Sequence, residues 1–361
     1  MNTNSTSSSS PLEKFTNCLQ KLINDDGSDL HIREGRVAYI RSKKNVNPTL
    51  EVEPFSRADM LELLRNFLAQ EKLELFSSQK SVDFSHIALG RRLRGNAFVE
   101  RGKLAITLRL IPVIRNMEEL NLPQILKEIA MREQGFFLVT GSVGNGKSTT
   151  VSTMVSLINK QKAKHIITVE DPIEFFYEDE LSFVDQREVS IDVPDFESAL
   201  KNALREDADV LVVGEMRNLE TIRMAVTSAQ TGHLVLSTLH TNTATQSIDR
   251  IIDVFPAMEQ KQIRVELSVC LLGVFSQKLV PTISGELVPA YELMLNTPAV
   301  SHLIREGRIK DLDLTIENGM NDGHVSYNRS LSQLFFAGII SRETALNYSQ
   351  DKETLLGLIG N

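Results

Sequence analysis

The chain has 361 residues, of which 42% are hydrophobic and 24% are charged, a composition typical of a soluble globular protein with room for two domains. A formal net charge of −8 argues against a surface that binds nucleic acid as a whole. No apolar run approaches the roughly eighteen residues of a membrane span, and the distant Cys18 and Cys270 indicate a reducing compartment rather than a disulfide scaffold, so we expect a cytoplasmic protein.

The first third of the chain predicts a small α+β domain. Residues 1–11 are mainly Asn, Thr and Ser without the charged and apolar regions of a secretory signal, so we expect a disordered tail there. Residues 12–112 then mix two periodicities. The helical pattern covers 12–23 and 57–69, and strand-like alternation covers 29–33, 37–40, 82–86, 92–100 and 104–111.

A connection over 113–122, bracketed by Pro112 and Pro123, separates this domain from a second one over 123–361. In the second domain, apolar β runs at 136–140, 166–169, 210–213 and 234–237 alternate with segments of helix length. Asp195 and Asn218 are expected to cap two of these helices. Such alternation predicts an α/β fold built on a mostly parallel central sheet.

The loop after the first of these strands matches the phosphate-binding pattern GxxxxGK[ST] and precedes a helix-like run from 147 to 159. Its residues are Gly141, Ser142, Val143, Gly144, Asn145, Gly146, Lys147, Ser148 and Thr149. Glycines let successive backbone N–H groups face one polyphosphate, while the lysine reaches the β and γ phosphates and the Ser148 hydroxyl ligates Mg²⁺. We therefore expect the chain to bind a nucleoside triphosphate. ATP is favoured over GTP because no NKxD motif follows.

Polar residues also follow the other three strands, at the sheet edge where ligands of parallel sheets bind. Glu215 is expected to orient and deprotonate the attacking water. No aspartate precedes it, so Glu170 and Asp171 become the candidates for holding Mg²⁺ together with Ser148, and Glu170 is also a catalytic candidate. His240 is positioned to contact the γ phosphate. Each of these residues also has a purely structural interpretation. Glu170 and Asp171 can belong to an ordinary turn before Pro172, Glu215 can complement a helix dipole, and His240 can be a hydrogen-bonded structural histidine.

These motifs resemble the PilT family of type IV pilus retraction ATPases, within the secretion ATPase superfamily. The resemblance covers nearly the whole chain. It rests on the residues 27–31 near the N-terminus, 165–175 (the Asp box), 214–221 (the Walker B region), 231–241 (the His box) and 248–256.

The resemblance implies a PAS-like N-terminal domain, a RecA-like ATPase domain with a C-terminal helical region, and a homohexamer with ATP at the subunit boundaries. It also implies that arginines of the N-terminal domain, matching Arg94, Arg101 and Arg109 here, neutralise charge on the transferred phosphoryl group; Arg101 aligns with a shift of one residue. The implied partners are an inner-membrane pilus platform protein and a paralogous retraction ATPase, with no direct nucleic acid. The implied location is cytoplasmic and peripheral at the inner membrane.

The sequence departs from the family at 299–306, where the family's Ala-Ile-Arg-Asn-Leu-Ile-Arg-Glu motif loses its first arginine and its asparagine to Ser301 and His302. An accessory ATPase of the PilU type, or a non-catalytic ATP-gated adaptor, therefore stands beside the retraction motor as an interpretation. A pilus-extension or type II secretion ATPase is disfavoured, because those relatives carry four paired zinc-ligating cysteines. A DNA translocase is opposed by the acidic balance.

Overall fold

The computed structural model describes residues 10–42, 46–49 and 52–360, so residues 1–9 of the predicted tail lie outside the described part. The chain divides into two compact units, Met1–Val113 and Ile114–Asn361. Within the segment predicted as a linker, Met117 is buried in a core cluster of the second unit. No helix in the described ranges is long and apolar enough to cross a bilayer.

The first unit is an antiparallel sheet with helices packed on it. Its helices are α1 (Pro11–Asn24), α2 (Arg57–Phe67) and α3 (Gln70–Gln79). Its strands are β1 (Asp29–Arg33), β2 (Tyr39–Arg41), β3 (Val46–Pro48), β4 (Ser81–Ala88), β5 (Arg91–Glu100) and β6 (Lys103–Leu110). They pair in the order β3-β2-β1-β6-β5-β4. The predicted α+β character is confirmed, whereas α3 and β3 were not predicted from the sequence.

Alternation explains how this sheet makes a core. Along β4, Val82 and Phe84 are buried while their neighbours are exposed, so one face meets the helices and the other faces solvent. The helices contribute Phe15, Leu19 and Met60 to the same cluster.

The second unit is a seven-stranded sheet with helices on both faces. Its strands are β7 (Gly135–Thr140), β8 (His165–Glu170), β9 (Phe183–Glu188), β10 (Val210–Val213), β11 (Leu234–Leu239), β12 (Leu271–Pro281) and β13 (Leu287–Leu295). Its helices are α4 (Ile125–Ala130), α5 (Lys147–Gln161), α6 (Phe196–Ala203), α7 (Leu219–Gln230), α8 (Ala244–Asp253), α9 (Gln260–Cys270), α10 (Pro298–Glu306), α11 (Asp311–Asn318), α12 (Tyr327–Phe336), α13 (Arg342–Tyr348) and α14 (Lys352–Ile359).

The strand order is β13-β12-β7-β11-β10-β8-β9. All neighbours are parallel except β12 and β13, so the sheet is mostly parallel, as predicted, with one antiparallel edge. Successive residues of β7 belong to different core clusters: Phe136 packs with helices α6 to α11, and Phe137 packs with α5. Both faces of the sheet are therefore buried, which is why its inner strands read as continuous apolar runs.

The predicted caps of α6 and α7 are confirmed. The side chain of Asp195 accepts a hydrogen bond from the amide of Ser198 at 2.7 Å, and that of Asn218 accepts one from the amide of Thr221 at 2.9 Å. Each cap satisfies an amide that the first helical turn leaves without an intrahelical partner.

Candidate functional site

The carboxyl ends of β7, β8, β10 and β11 meet at one edge of the sheet, because these strands are parallel neighbours. A cleft of about 470 Å³ lies at this edge. It is lined by residues from all four strand ends, among them Gly144, Gly146, Lys147, Ser148, Thr149, Glu170, Asp171, Glu215 and His240. Ligands of open parallel sheets bind at such an edge, so this cleft is the candidate functional site.

The phosphate-binding loop packs against β12. Gly141 has a φ of 146°, and a Cβ atom there would lie 2.3 Å from the carbonyl oxygen of Gln277. Only glycine fits this approach. The Gln277 side chain then donates from Nε2 to the carbonyl of Asn145 at 2.5 Å and accepts from the hydroxyl of Thr150 at 2.7 Å. Gln277 on β12 thus holds the phosphate-binding loop in place, a role that was not predicted from the sequence.

Lys147 begins α5 and lies largely buried in the cleft. Its Nζ is 3.2 Å from the carbonyl of Ser142 and 3.3 Å from Nδ1 of His240. Burial lowers its pKa, and the carboxylates of Glu215 and Glu174 act in the opposite direction. The ammonium group is therefore poorly hydrated, and a negatively charged ligand in the cleft would stabilise its charge.

His240 connects Lys147 to Glu215. Since the ammonium group can only donate, Nδ1 of His240 accepts, which places the imidazole proton on Nε2. That atom is 3.5 Å from Oε2 of Glu215. The contact orients the Glu215 carboxylate toward the cleft.

Glu215 is held on its other side by Arg217. The guanidinium group contacts both carboxylate oxygens, with Nη2 donating to Oε2 at 2.9 Å and Nε contacting Oε1. These bonds hold the pKa of Glu215 below its ordinary value, with His240 contributing in the same direction. Glu215 is therefore ionised at neutral pH.

Glu170 has a different environment. The hydroxyl of Thr168 donates to its Oε1 at 2.7 Å, and Nε2 of Gln186 lies 3.4 Å from the same oxygen. Burial raises the pKa of Glu170 despite these hydrogen bonds. A cation placed beside this carboxylate would favour its charged form.

Ser148 and Asp171 line the same cleft as Glu170. This hydroxyl and these carboxylates are the hard oxygen donors that Mg²⁺ prefers. Within the described ranges, no three acid, histidine or cysteine side chains gather closely enough to hold a metal alone. The donor set therefore fits a magnesium ion that completes its coordination with phosphate oxygens and water.

The three arginines carried over from the family lie in the first unit. Arg94 on β5 and Arg109 on β6 are cross-strand partners, and Nε of Arg109 donates to Oδ1 of Asp29 at 2.9 Å. Arg101 lies in the turn between these strands with a φ of 52°. Cross-strand pairing therefore puts Arg94 and Arg109 beside each other.

Two further contacts were not predicted from the sequence. Arg217 stands only two residues after Glu215, but its pairing depends on a side-chain conformation that the pattern does not encode. Asn242 accepts a hydrogen bond from the Ser142 hydroxyl at 2.9 Å. Its position two residues after His240 was the sequence feature that could have indicated its place at the site.

Comparisons with known proteins agree with this geometry. A family model described as "Type II/IV secretion system protein" matches residues 103–306. The chain is 41% identical over 320 residues to the type IV pilus retraction ATPase PilT of Pseudomonas aeruginosa, covering 88% of this chain and 93% of that protein. It is 36% identical over 345 residues to the type IV pilus ATPase PilU of the same organism, covering 95% and 90%.

Among solved structures, the crystal structure of the pilus retraction motor PilT with bound ADP superposes with a TM-score of 0.84 at 38% identity, covering 94% of this chain and 98% of that one. These matches extend over both units. The chain belongs to the Type II/IV secretion system protein family.

Proposed function

We propose that this protein is an ATPase that hydrolyses ATP in the cleft and uses the energy to drive retraction of type IV pili. The observation that carries this proposal is the convergence of Lys147, Glu170, Glu215 and His240 on one cleft beside the phosphate-binding loop. Relatives named for pilus retraction, one of them solved with ADP, support it.

In the proposed mechanism, the backbone amides of the loop and the N-terminus of α5 bind the polyphosphate. Nζ of Lys147 exchanges its contacts with Ser142 and His240 for oxygens of the β and γ phosphates. Ser148, Glu170 and Asp171 would hold a Mg²⁺ ion, which would supply neutralisation of the phosphate charge.

Glu215 orients the attacking water and accepts its proton. The water oxygen forms a bond to the γ phosphorus, and the bond from that phosphorus to the β–γ bridging oxygen breaks, so that ADP and inorganic phosphate leave. His240 and Arg217 hold the carboxylate in place during this step. Positioning and charge neutralisation account for most of the catalysis in phosphoryl transfer.

Charge on the transferred phosphoryl group is neutralised by Arg94, Arg101 and Arg109 of a PAS-like first unit, supplied within a homohexamer of RecA-like units. The protein works in the cytoplasm, peripheral to the inner membrane, against a pilus platform protein and beside a paralogous retraction ATPase, without binding nucleic acid. The support for this assembly is the family resemblance and the arginines of β5 and β6 in the first unit.

An accessory role of the PilU type is the second candidate, and the segment 299–306 favours it. In α10, the Ser301 hydroxyl donates to the carbonyl of Ser268 at 2.8 Å, where a family arginine would present a charge, and His302 is exposed. A changed segment 299–306 together with an intact nucleotide cleft is what we expect of an ATPase that assists a main motor. An ATP-gated adaptor would share the changed segment but would not hydrolyse ATP.

Purified protein tests the proposed activity. We expect Mg²⁺-dependent release of phosphate from ATP. Lys147→Ala should abolish both nucleotide binding and phosphate release, because it removes the cation from the phosphate site. Lys160→Ala is the matched control, since Lys160 lies in the last turn of the same helix and is exposed. Tight ATP binding without phosphate release would favour the adaptor.

Cells distinguish a main motor from an accessory one. A main motor alone restores pilus retraction in a strain that lacks both retraction ATPases. An accessory ATPase restores it only together with the paralogue.

A further inference from the structure

The start of α8 is held by two carboxylates that come from a distant part of the chain. The amide of Ala244, the first residue of α8, donates to Oε1 of Glu292 on β13 at 2.7 Å. The hydroxyl of Thr245 donates to Oδ1 of Asp313 on α11 at 2.5 Å. These two hydrogen bonds hold the start of α8 to β13 and to α11.

The loop before this fixed point belongs to the nucleotide cleft. It comprises residues 240–243, so only three residues separate His240 from Ala244. His240 contacts Lys147 and Glu215. Such a short connection limits how far His240 can lie from the start of α8, because each residue spans at most about 3.6 Å.

The same loop also contacts the phosphate-binding loop through Asn242. Its side-chain oxygen accepts from the Ser142 hydroxyl at 2.9 Å, and its amide donates to Oε1 of Gln246 in α8 at 3.2 Å. Asn242 is therefore tied to the phosphate loop on one side and to the first turn of α8 on the other.

An ionisable residue such as Glu292 is an unfavourable cap for a helix, because removing its charge from water costs free energy. Glu292 is half-buried, and burial of its carboxyl group together with the charges of Asp313 and Glu317 raises its pKa to about 7, although the Ala244 amide acts in the opposite direction. A neutral side chain with an oxygen atom could accept the Ala244 amide without burying a charge. Ionisable groups kept in such environments are often functional.

We infer that Glu292 is a positioning residue of the nucleotide site. By holding the Ala244 amide it fixes the loop that presents His240 and Asn242, and through that loop it sets the geometry of the phosphate-binding loop. β13 ends at Leu295 and α10 begins at Pro298, so the strand that carries Glu292 leads directly into the helix that contains the segment 299–306. The inference rests on the proposed function of the cleft.

Equilibrium binding of a fluorescent ADP analogue to the full-length protein tests the inference. Glu292→Met removes the acceptor while keeping an unbranched side chain of similar length, and Glu292→Gln keeps an acceptor oxygen. We expect Glu292→Met to weaken ADP binding about five-fold, within the range of typical coupling energies, and Glu292→Gln to stay within about two-fold of the native protein.

A double-mutant cycle separates positioning from simple capping. Asn242→Ala should also weaken ADP binding, and the double variant Glu292→Met with Asn242→Ala should be no weaker than the weaker single variant, because both changes break the same connection. The control is Ser341→Ala, which removes the side-chain cap of α13 and should combine additively with Asn242→Ala. Native ADP binding by Glu292→Met, or additive effects in the cycle, would overturn the inference.

Should Glu292→Met fail to fold, Thr245→Val removes the other contact that holds the start of α8, the one with Asp313. It should weaken ADP binding in the same cycle, and native ADP binding would show that the position of this helix start does not affect the nucleotide site. The outcome is independent of turnover. If the native protein binds ADP but releases no phosphate from ATP, the proposed function is wrong and the positioning role of Glu292 can still hold. If turnover is normal and neither Glu292→Met nor Thr245→Val changes ADP binding, only the positioning role is wrong.

Discussion

The ends of β8 and β10 lie side by side in the sheet, and each carries a glutamate into the same cleft. Glu170 has the neutral hydrogen-bond partners Thr168 and Gln186, and burial, with the nearby charge of Glu174, raises its pKa. Glu215 is bonded to Arg217 and contacts His240, and its pKa is lowered. Position in the sheet makes these residues neighbours, but their environments make them chemically different.

The difference suggests a division of labour. A carboxylate that already has a cation beside it stays ionised and can orient a water molecule. A buried carboxylate without such a partner is suited to receive one, because a bound metal would stabilise its charged form. Pairs of acids whose pKa values are moved in opposite directions often have separate roles in one reaction.

Glu215→Gln should have the largest effect. The amide cannot accept the water proton, so we expect kcat to fall by about 100-fold or more, the usual range for loss of a general base, while ATP affinity is retained. Steady-state phosphate release and equilibrium binding measure the two quantities. Glu259→Gln is the matched control, because Glu259 is also paired with an arginine, Arg223, and should leave kcat unchanged. Turnover at the native rate in Glu215→Gln refutes the assignment.

Glu170→Gln should have a smaller effect of a different kind. We expect kcat to fall about ten-fold, as for loss of an outer metal contact, and the Mg²⁺ concentration for half-maximal activity to rise. A titration of activity with Mg²⁺ measures both. An unchanged Mg²⁺ requirement would remove Glu170 from the metal site and weaken the proposed division of labour.

Glu292→Gln extends the comparison to a half-buried acid outside the cleft. Burial of its carboxyl group and the charges of Asp313 and Glu317 raise its pKa, and the Ala244 amide lowers it. Its folded pKa of about 7 is raised from the ordinary value of 4.5. Its contribution to stability is therefore present below pH 4.5 and is lost as the pH rises through 7.

Between pH 6 and pH 8 this group should cost the native protein about 1 kcal/mol of unfolding free energy. Glu292→Gln should lack that loss, which is measurable as a difference in thermal unfolding midpoint of about 3 °C. Equal pH dependence in the two proteins would mean that the protonation of Glu292 does not change in this range.

Arg217→Ala should have the smallest effect on turnover, with kcat at its optimum changing less than about three-fold, because the arginine side chain is 65% exposed. The informative quantity is the pH–rate profile. Removing the guanidinium group raises the pKa of Glu215, so the loss of activity on the acid side should begin at a higher pH. Arg223→Ala, which breaks the matched pair with Glu259, should leave the profile in place.

Much of the second unit could be predicted because its inner strands are continuous apolar runs and its helices have recognisable caps. β12 was missed because α9 ends at Cys270 and the strand begins at Leu271, without a turn residue between them to mark the change. β9 was missed because it is an edge strand. The sequence from Phe183 to Glu188 is mainly polar, as edge strands can be.

The residues of the cleft were predictable to the same extent as the strands that carry them. Glu170, Glu215 and His240 could be named because parallel strand ends share one edge. Gln277 could not, since its contact with the phosphate-binding loop depends on β12. Arg217 and Glu292 act through side-chain hydrogen bonds between segments that no local pattern relates.

The most direct test of the account is a structure of the Glu215→Gln variant with ATP and Mg²⁺. We expect the triphosphate in the 470 Å³ cleft, with Nζ of Lys147 on the γ phosphate and a water molecule between that phosphate and the side chain of residue 215. A triphosphate bound elsewhere, or a side chain at 215 turned away from the phosphate, would contradict the account.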